Sequence, residues 1–151
     1  MWNSGCRSVV KSLAAGWVGG FIGNGFLGAM FSMPFVLAIL YDPNLQSELF
    51  RTVTPTRNIP VSVVGLVVLS GLHGLFFNVL RNSIPGDTWV KRGLWWGFCL
   101  WAVFWLAQEW FIYVTLLREP VLLASLELVI LLGGSLIEGV VIAAILDRSR
   151  T

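Results

Sequence analysis

The chain has 151 residues, of which 56% are hydrophobic and 12% are charged, with a mean hydropathy of +0.80 and a formal net charge of +2. Soluble domains usually carry about 25% charged residues, so this composition excludes a disordered chain and argues against a soluble globular one. Two cysteines are too few for a disulfide scaffold. The small and scattered positive charge argues against a nucleic-acid partner.

We expect four membrane spans, because about 20 apolar residues in a helix cross a bilayer. The first predicted span covers residues 13–40 and should tilt or kink, since it is long, rich in glycine and interrupted by Pro34. A polar loop at 42–60 follows. The other spans are predicted at 61–80, 94–116 and 121–146. The apolar runs are continuous rather than alternating, so the predicted fold is an all-α, integral membrane four-helix bundle with a single domain over 1–151.

Loop cations predict the orientation of the bundle, because cytoplasmic loops carry an excess of lysine and arginine. The cations on one side are Arg7, Lys11, Arg81, Lys91, Arg92, Arg148 and Arg150. Those on the other side are Arg51, Arg57 and Arg118. We therefore expect both termini in the cytoplasm and the protein in a bacterial inner (cytoplasmic) membrane. In that orientation neither Cys6 nor Cys99 is expected to form a structural disulfide.

Small residues recur at every fourth position of the first span. They are Gly16, Gly20, Asn24, Gly28 and Ser32, and Gly19 and Gly23 form a parallel row. Four residues make nearly one helical turn, so these positions form a flat stripe against which another helix can pack closely. The stripe is either an interface with another subunit or a packing surface inside the chain's own bundle.

The third span is rich in tryptophan. Its five tryptophans are Trp95, Trp96, Trp101, Trp105 and Trp110. Those near the ends fit the aromatic belts found at membrane interfaces, whereas Trp101 and Trp105 lie near the middle, one turn apart. These two either fill space opposite the glycine faces or form a wall for a lipid, quinone or pigment.

Polar side chains inside the predicted spans fall into two layers. The inner polar layer contains Asn24, His73 and Glu138, and the outer polar layer contains Gln108, Glu109 and Glu127. Ionisable side chains within a membrane are costly and often functional, so these six residues form the candidate polar site.

Two glutamates of the fourth span share one helix face. Glu127 and Glu138 are 11 residues apart, which corresponds to about three turns and roughly 16 Å along the axis. We expect this face to look into the bundle or towards a partner. His73, the only histidine of the chain, could pair with Glu138.

Three uses of these polar groups remain open at this stage. They could form interhelical hydrogen bonds worth roughly 1 kcal/mol each, they could relay protons or cations, or His73 and the glutamates could bind a metal or haem. The chain has no Glu-x-x-His pair of the di-iron type, and bis-histidine haem would need a second chain. The sequence therefore requires no metal and no cofactor.

Catalytic signatures are weak. Gly133-Gly134-Ser135 lacks the strand–turn–helix context of a nucleophile elbow, and the glycine run at 19–23 lacks the lysine of a P-loop. Ser70 lies three residues before His73, a placement more typical of a backbone-bonded serine than of an activated nucleophile. We expect that the protein is not an enzyme.

Several short stretches resemble small four-span bacterial membrane proteins. They are Leu72-His73-Gly74, Ile84-Pro85-Gly86, Lys91-Arg92-Gly93-Leu94 and Gly139, together with the tryptophan-rich third span. The resemblance implies a four-helix topology. It implies no activity, and no site residue is carried over from it.

The expected function is that of a non-catalytic accessory or assembly subunit of a larger membrane complex or homo-oligomer. The reason is that nearly all of the chain is predicted to lie in the membrane, with no soluble module that could act alone. The alternative is a small proton- or cation-coupled transporter or channel, which would use Glu109, Glu127, Glu138 and His73. The expected partners are membrane lipid and other membrane subunits or further copies of the chain.

Overall fold

The computed structural model of the protein describes residues 4–52 and 58–148, and this part of the chain is helical without any strand. The helices are α1 (Ser4–Phe31), α2 (Pro34–Leu40), α3 (Glu48–Thr52), α4 (Ile59–Leu80), α5 (Trp89–Leu100) and α6 (Val121–Leu146). Two π-helical segments, Trp101–Leu106 and Glu109–Leu116, continue α5. Arg57 and Arg150, which contribute to the predicted orientation, lie outside the described residues.

Four helical segments are long and apolar enough to cross a membrane. They are Cys6–Phe31, Ile59–Leu80, Trp89–Leu116 and Val121–Leu146. The predictions of an all-α fold and of four helices able to span a bilayer are therefore confirmed. From here on, the third span means Trp89–Leu116.

The first helix has different bounds from those expected from hydropathy. α1 begins at Ser4, so the helix includes Arg7 and Lys11, which precede the apolar stretch. It ends at Phe31, and Met33 has the extended conformation, with φ −67° and ψ 132°. Proline disfavours helical geometry in the residue before it, so Pro34 separates α1 from the short helix α2. The predicted span 13–40 is thus divided between two helices.

Two other helices begin earlier than the apolar runs suggest, because each has a capping residue directly before it. The Asn58 side chain accepts a hydrogen bond from the backbone N–H of Val61, and the Thr88 hydroxyl accepts one from that of Lys91. Each cap satisfies a backbone donor that has no partner within the first turn of its helix. α4 therefore begins at Ile59, and the third span begins at Trp89 rather than near residue 94.

α6 is the central helix of the bundle. It packs against both α1 and the third span, while α4 packs mainly against α1. The buried apolar side chains form two clusters. One contains Ala15, Phe77, Trp96, Ile142, Ala143 and Leu146, and the other contains Leu27, Val36, Leu40, Leu123, Ile130 and Leu131. Along α6, the residues between these two clusters include Ser135 and Glu138, so a polar layer separates two apolar ones.

Glycines set the closest helix contacts. Gly93 and Gly97 of α5 face Gly139 of α6 and its surroundings, and a β-carbon added at Gly139 would overlap the Gly93 carbonyl oxygen. Gly16 and Gly74 allow the same close approach of backbones between α1 and α4. Small residues allow this approach, which lets backbones pack without intervening side chains.

The third span ends in a tight connection to α6. The backbone N–H of Glu119 donates to the Tyr113 carbonyl at 2.8 Å. Arg118 adopts a left-handed backbone conformation with φ 56°, which turns the chain sharply. Pro120 then immediately precedes α6. The connection places Glu119 beside the ends of both helices.

We expect Gly139→Ala to lower the free energy of unfolding by about 1–3 kcal/mol, the usual cost of overpacking, because the added carbon meets the backbone of α5. Gly65→Ala is the matched control, since nothing lies within 4 Å of a β-carbon at that position. Unfolding in detergent micelles, followed by circular dichroism, measures both. Equal stability of the two variants would contradict the close contact of α5 with α6.

Candidate functional site

A polar contact between distant parts of the chain joins His73 of α4 to Glu138 of α6. Their atoms Nδ1 and Oε1 lie 2.8 Å apart, with the two side chains 19% and 11% exposed. The contact lies in the polar layer between the two apolar clusters. Because α4 and α6 make few other contacts, this pair is a major direct link between them.

The His73–Glu138 pair borders a cavity of about 110 Å³. Its polar lining comes from three helices: Asn24 of α1, Ser70 and His73 of α4, and Ser135 and Glu138 of α6. Its apolar lining consists of Leu66, Leu69, Leu100, Phe104 and Trp105. A volume of this size holds a few water-sized molecules and is well below the roughly 300–1,000 Å³ of typical ligand pockets.

Gly20 allows α1 to approach the pair. A β-carbon at this position would overlap the Ser70 side chain and would lie 3.6 Å from Glu138 Oε1. One turn further along α1, the Asn24 Nδ2 donates to the Gly20 carbonyl at 2.8 Å. The Asn24 side chain is therefore hydrogen-bonded to its own helix, and Asn24 also lines the cavity.

The two glycine rows of α1 have different neighbours. Gly16 and Gly20 face α4, whereas Gly19 and Gly23 face α6 around Glu138 and Gly134. Nothing lies within 4 Å of a β-carbon at Gly28. The four glycines Gly16, Gly19, Gly20 and Gly23 are therefore in contact with the chain's own helices, and Gly28 remains open.

The two central tryptophans pack inside the bundle. Trp101 Nε1 donates to the Leu128 carbonyl of α6 at 2.9 Å, and both Trp101 and Trp105 lie against the cluster that contains Leu131. Trp105 also lines the cavity. Beside it, the rings of Phe104 and His73 pack edge to face, with centroids 6.4 Å apart and an angle of 79°.

The outer polar layer is a separate cluster of carboxyls. Glu109 of the third span, Glu127 of α6 and Glu119 of the turn between them lie close enough to interact electrostatically. Gln108 is half-buried beside them and is not among the residues that line the cavity. The cavity and the carboxyl cluster thus contain all the charged residues of the candidate polar site.

Sequence reasoning missed several members of these two groups. Ser70 and Ser135 line the cavity, and each lies three residues before its charged neighbour, His73 or Glu138. For Ser70 this spacing is evident in the sequence, but it predicted only a backbone-bonded serine. The same spacing, which places two side chains on one helix face, could have identified Ser135. Glu119 had no such signal, because its position depends on the left-handed turn at Arg118.

Within the described residues, no group of three or more histidines, cysteines, aspartates or glutamates has a geometry that could hold a metal ion. Comparisons of the chain with protein-family models, with curated proteins and with solved structures found no match. The chemistry of the two polar groups is therefore the basis for inferring a function.

We expect His73→Leu to destabilise the fold by about 1–3 kcal/mol, the cost of leaving a buried polar group without its partner, because Glu138 would lose its hydrogen bond. His73→Gln can still offer a donor near the carboxyl and should cost less. The measurement is the unfolding midpoint of both variants in the same micelles. If the two variants were equally stable, the His73–Glu138 contact would not contribute to folding.

Proposed function

We propose that the protein is an integral membrane protein whose four candidate spans cross a bacterial cytoplasmic membrane with both termini in the cytoplasm. The length and apolar character of the spans support insertion. Cations gathered at one end of the bundle support the orientation. There Arg81 donates to the Leu146 carbonyl at 3.2 Å, and Arg92 forms an ion pair with Asp147 at 2.6 Å.

Within this membrane bundle, we propose that His73 and Glu138 bind and release protons as the central step of a small proton-coupled carrier or channel. The observation that carries the proposal is that the pair borders a cavity to which Asn24, Ser70 and Ser135 also contribute polar side chains. A contact of 2.8 Å allows a proton to lie on either the imidazole nitrogen or the carboxyl oxygen. Ionisable groups in such positions are characteristic of proton relays.

The size and lining of the cavity favour a proton or a small cation as the transported species. A cavity of about 110 Å³ is too small for most organic substrates. Ser70, Ser135 and Asn24 supply hydroxyl and amide groups around the charged pair, and such groups can hydrogen-bond to water. Water hydrogen-bonded to these side chains would connect the pair to the rest of the cavity.

We expect Glu138→Gln to abolish pH-driven proton flux into liposomes, because an amide cannot release a proton, while its similar shape preserves the contact with His73. Glu48→Gln is the matched control, since Glu48 is exposed on α3 and should keep full flux. The measurement uses a pH-sensitive dye trapped in the liposomes. Undiminished flux through Glu138→Gln would overturn the relay.

A second candidate function is that of an accessory or assembly subunit, favoured by the open outer end of α1. β-Carbons at Gly25 and Gly28 would meet nothing within 4 Å, and both residues are exposed. A helix from a partner or from another copy of the chain could approach this surface closely. Gly16 and Gly20 are not available for this contact, because they already face α4.

If this surface mediates assembly, Gly28→Leu should release the partner while the bundle remains folded, because leucine would hold the two backbones apart. Val103→Leu is the control, as Val103 is 77% exposed on the third span. Native mass spectrometry after extraction in mild detergent measures the associated species. Retention of the partner by Gly28→Leu, at the level seen with Val103→Leu, would exclude this surface.

A further inference from the structure

A groove on the outside of the bundle, between α5 and α6, has a cation at one end. Its volume is about 400 Å³, which is within the range of small-molecule pockets. Its apolar lining consists of Leu94, Trp95 and Phe98 of α5 and Leu136 of α6, and among its described lining residues only Lys91 is charged. The lining residues of α5 are all exposed, so the groove is open to whatever surrounds the bundle.

Close backbones and large outer side chains together shape this groove. A β-carbon at Gly97 would overlap the Ser135 carbonyl oxygen and would lie 2.7 Å from the Cα of Leu136, so the two helices are in close contact here. On the outer side, the rings of Trp95 and Phe98 pack edge to face with centroids 6.1 Å apart. The result is an elongated apolar surface beside two aromatic rings.

Lys91 lies at the end of the groove that is nearest the end of the third span. It is two residues into that span, which begins at Trp89, whereas Phe98 lies roughly 10 Å further along the helix axis. A lysine near the end of a span can extend its ammonium group to the headgroup region. Trp95, one turn deeper, is of the type favoured at membrane interfaces. The groove thus combines a cation at headgroup level with an apolar interior.

The same end of the bundle carries an excess of positive charge. Hydrogen bonds from Asn78 to Ser8 and from Arg81 to Leu146 hold the ends of α1, α4 and α6 together there. Six cations and two acids of the described residues leave a net charge of +4 at this end: Arg7, Lys11, Arg81, Lys91, Arg92, Arg148, Asp87 and Asp147. An anionic headgroup complements this charge, and hydrocarbon complements the groove.

Lys91 has one acidic neighbour, which would compete with such a headgroup. Its Nζ lies 2.7 Å from Asp87 Oδ1, and the two side chains are 61% and 71% exposed. Ion pairs this exposed contribute little to stability, so a headgroup phosphate can share Lys91 with Asp87 or take its place. Removing the Asp87 charge should therefore strengthen the binding of an anion at Lys91.

We propose that this groove binds one acidic phospholipid, with its phosphate at Lys91 and an acyl chain against the apolar lining. A zwitterionic lipid matches less well, because its headgroup brings a cation of its own to a positively charged end. A helix from a second copy matches less well, because it would cover the Lys91 charge without neutralising it. The inference rests on the membrane insertion proposed above, but it does not depend on proton transfer.

The test is native mass spectrometry of the full chain released from nanodiscs that contain equal amounts of phosphatidylglycerol and phosphatidylcholine. We expect the wild type to retain one phosphatidylglycerol in preference to phosphatidylcholine. Lys91→Gln should lower that retention about fivefold, the usual effect of one cation at an anionic membrane surface, and Asp87→Asn should raise it. Lys11→Gln is the matched control and should behave as the wild type, since Lys11 is exposed at the same end but does not line the groove.

Equal losses in Lys91→Gln and Lys11→Gln would indicate general attraction of anionic lipid and would overturn the site. Equal retention of the two lipids would do the same, and a lipid-free dimer would assign the groove to a second copy. Failure of the wild type to enter nanodiscs would reject the membrane insertion as well. A protein that enters them without retaining phosphatidylglycerol would reject the lipid site alone.

A second measurement is the unfolding midpoint in detergent micelles, because a ligand that binds only the folded state raises it. Added phosphatidylglycerol should raise the midpoint of the wild type more than added phosphatidylcholine does. Leu136→Trp should lose this difference, since the larger side chain would occupy the groove. An equal rise with both lipids, or a difference that persists in Leu136→Trp, would contradict binding in the groove.

Discussion

The close contact of helix backbones at glycine is the constraint on which the rest of this structure depends. In a membrane, apolar side chains gain little by leaving lipid for protein, so association relies on packing and on interhelical hydrogen bonds. Gly20 brings α1 close enough to α4 and α6 for Ser70 and Glu138 to meet its backbone. Gly139 does the same between α6 and α5. The polar side chains are thus enclosed by these close backbone contacts together with the apolar side chains that line the cavity.

This packing explains why the cavity lies where it does. Large side chains fill the two apolar clusters on either side, around Phe77 and Trp96 in one and around Leu123 and Ile130 in the other. Between them the helices present glycine, serine and asparagine, which leave space. A buried polar group without a partner is costly, and the mutual contact of His73 and Glu138 at 2.8 Å reduces that cost for both.

Much of the fold, and part of the candidate site, could be predicted from the sequence. Hydropathy was sufficient to predict four long apolar helices, and residue spacing placed Glu127 and Glu138 on one face. The division of the first span at Pro34 and the early starts at Asn58 and Thr88 depend on single residues that hydropathy averages over. Glu119 joins the outer carboxyls only through the backbone turn at Arg118, which no periodic pattern encodes.

The inner and outer polar layers differ in whether their carboxyls contact a basic side chain. His73 gives Glu138 a basic partner, so the inner pair can exchange a proton internally and pass one on while changing its net charge by one unit. Among the described residues, no ion pair joins Glu109, Glu119 or Glu127 to a basic side chain. Glu127 and Glu138 lie on one face of α6, roughly 16 Å apart along its axis. The same helix therefore carries two carboxyls in different settings, and of the two only Glu138 has a basic partner among the described residues.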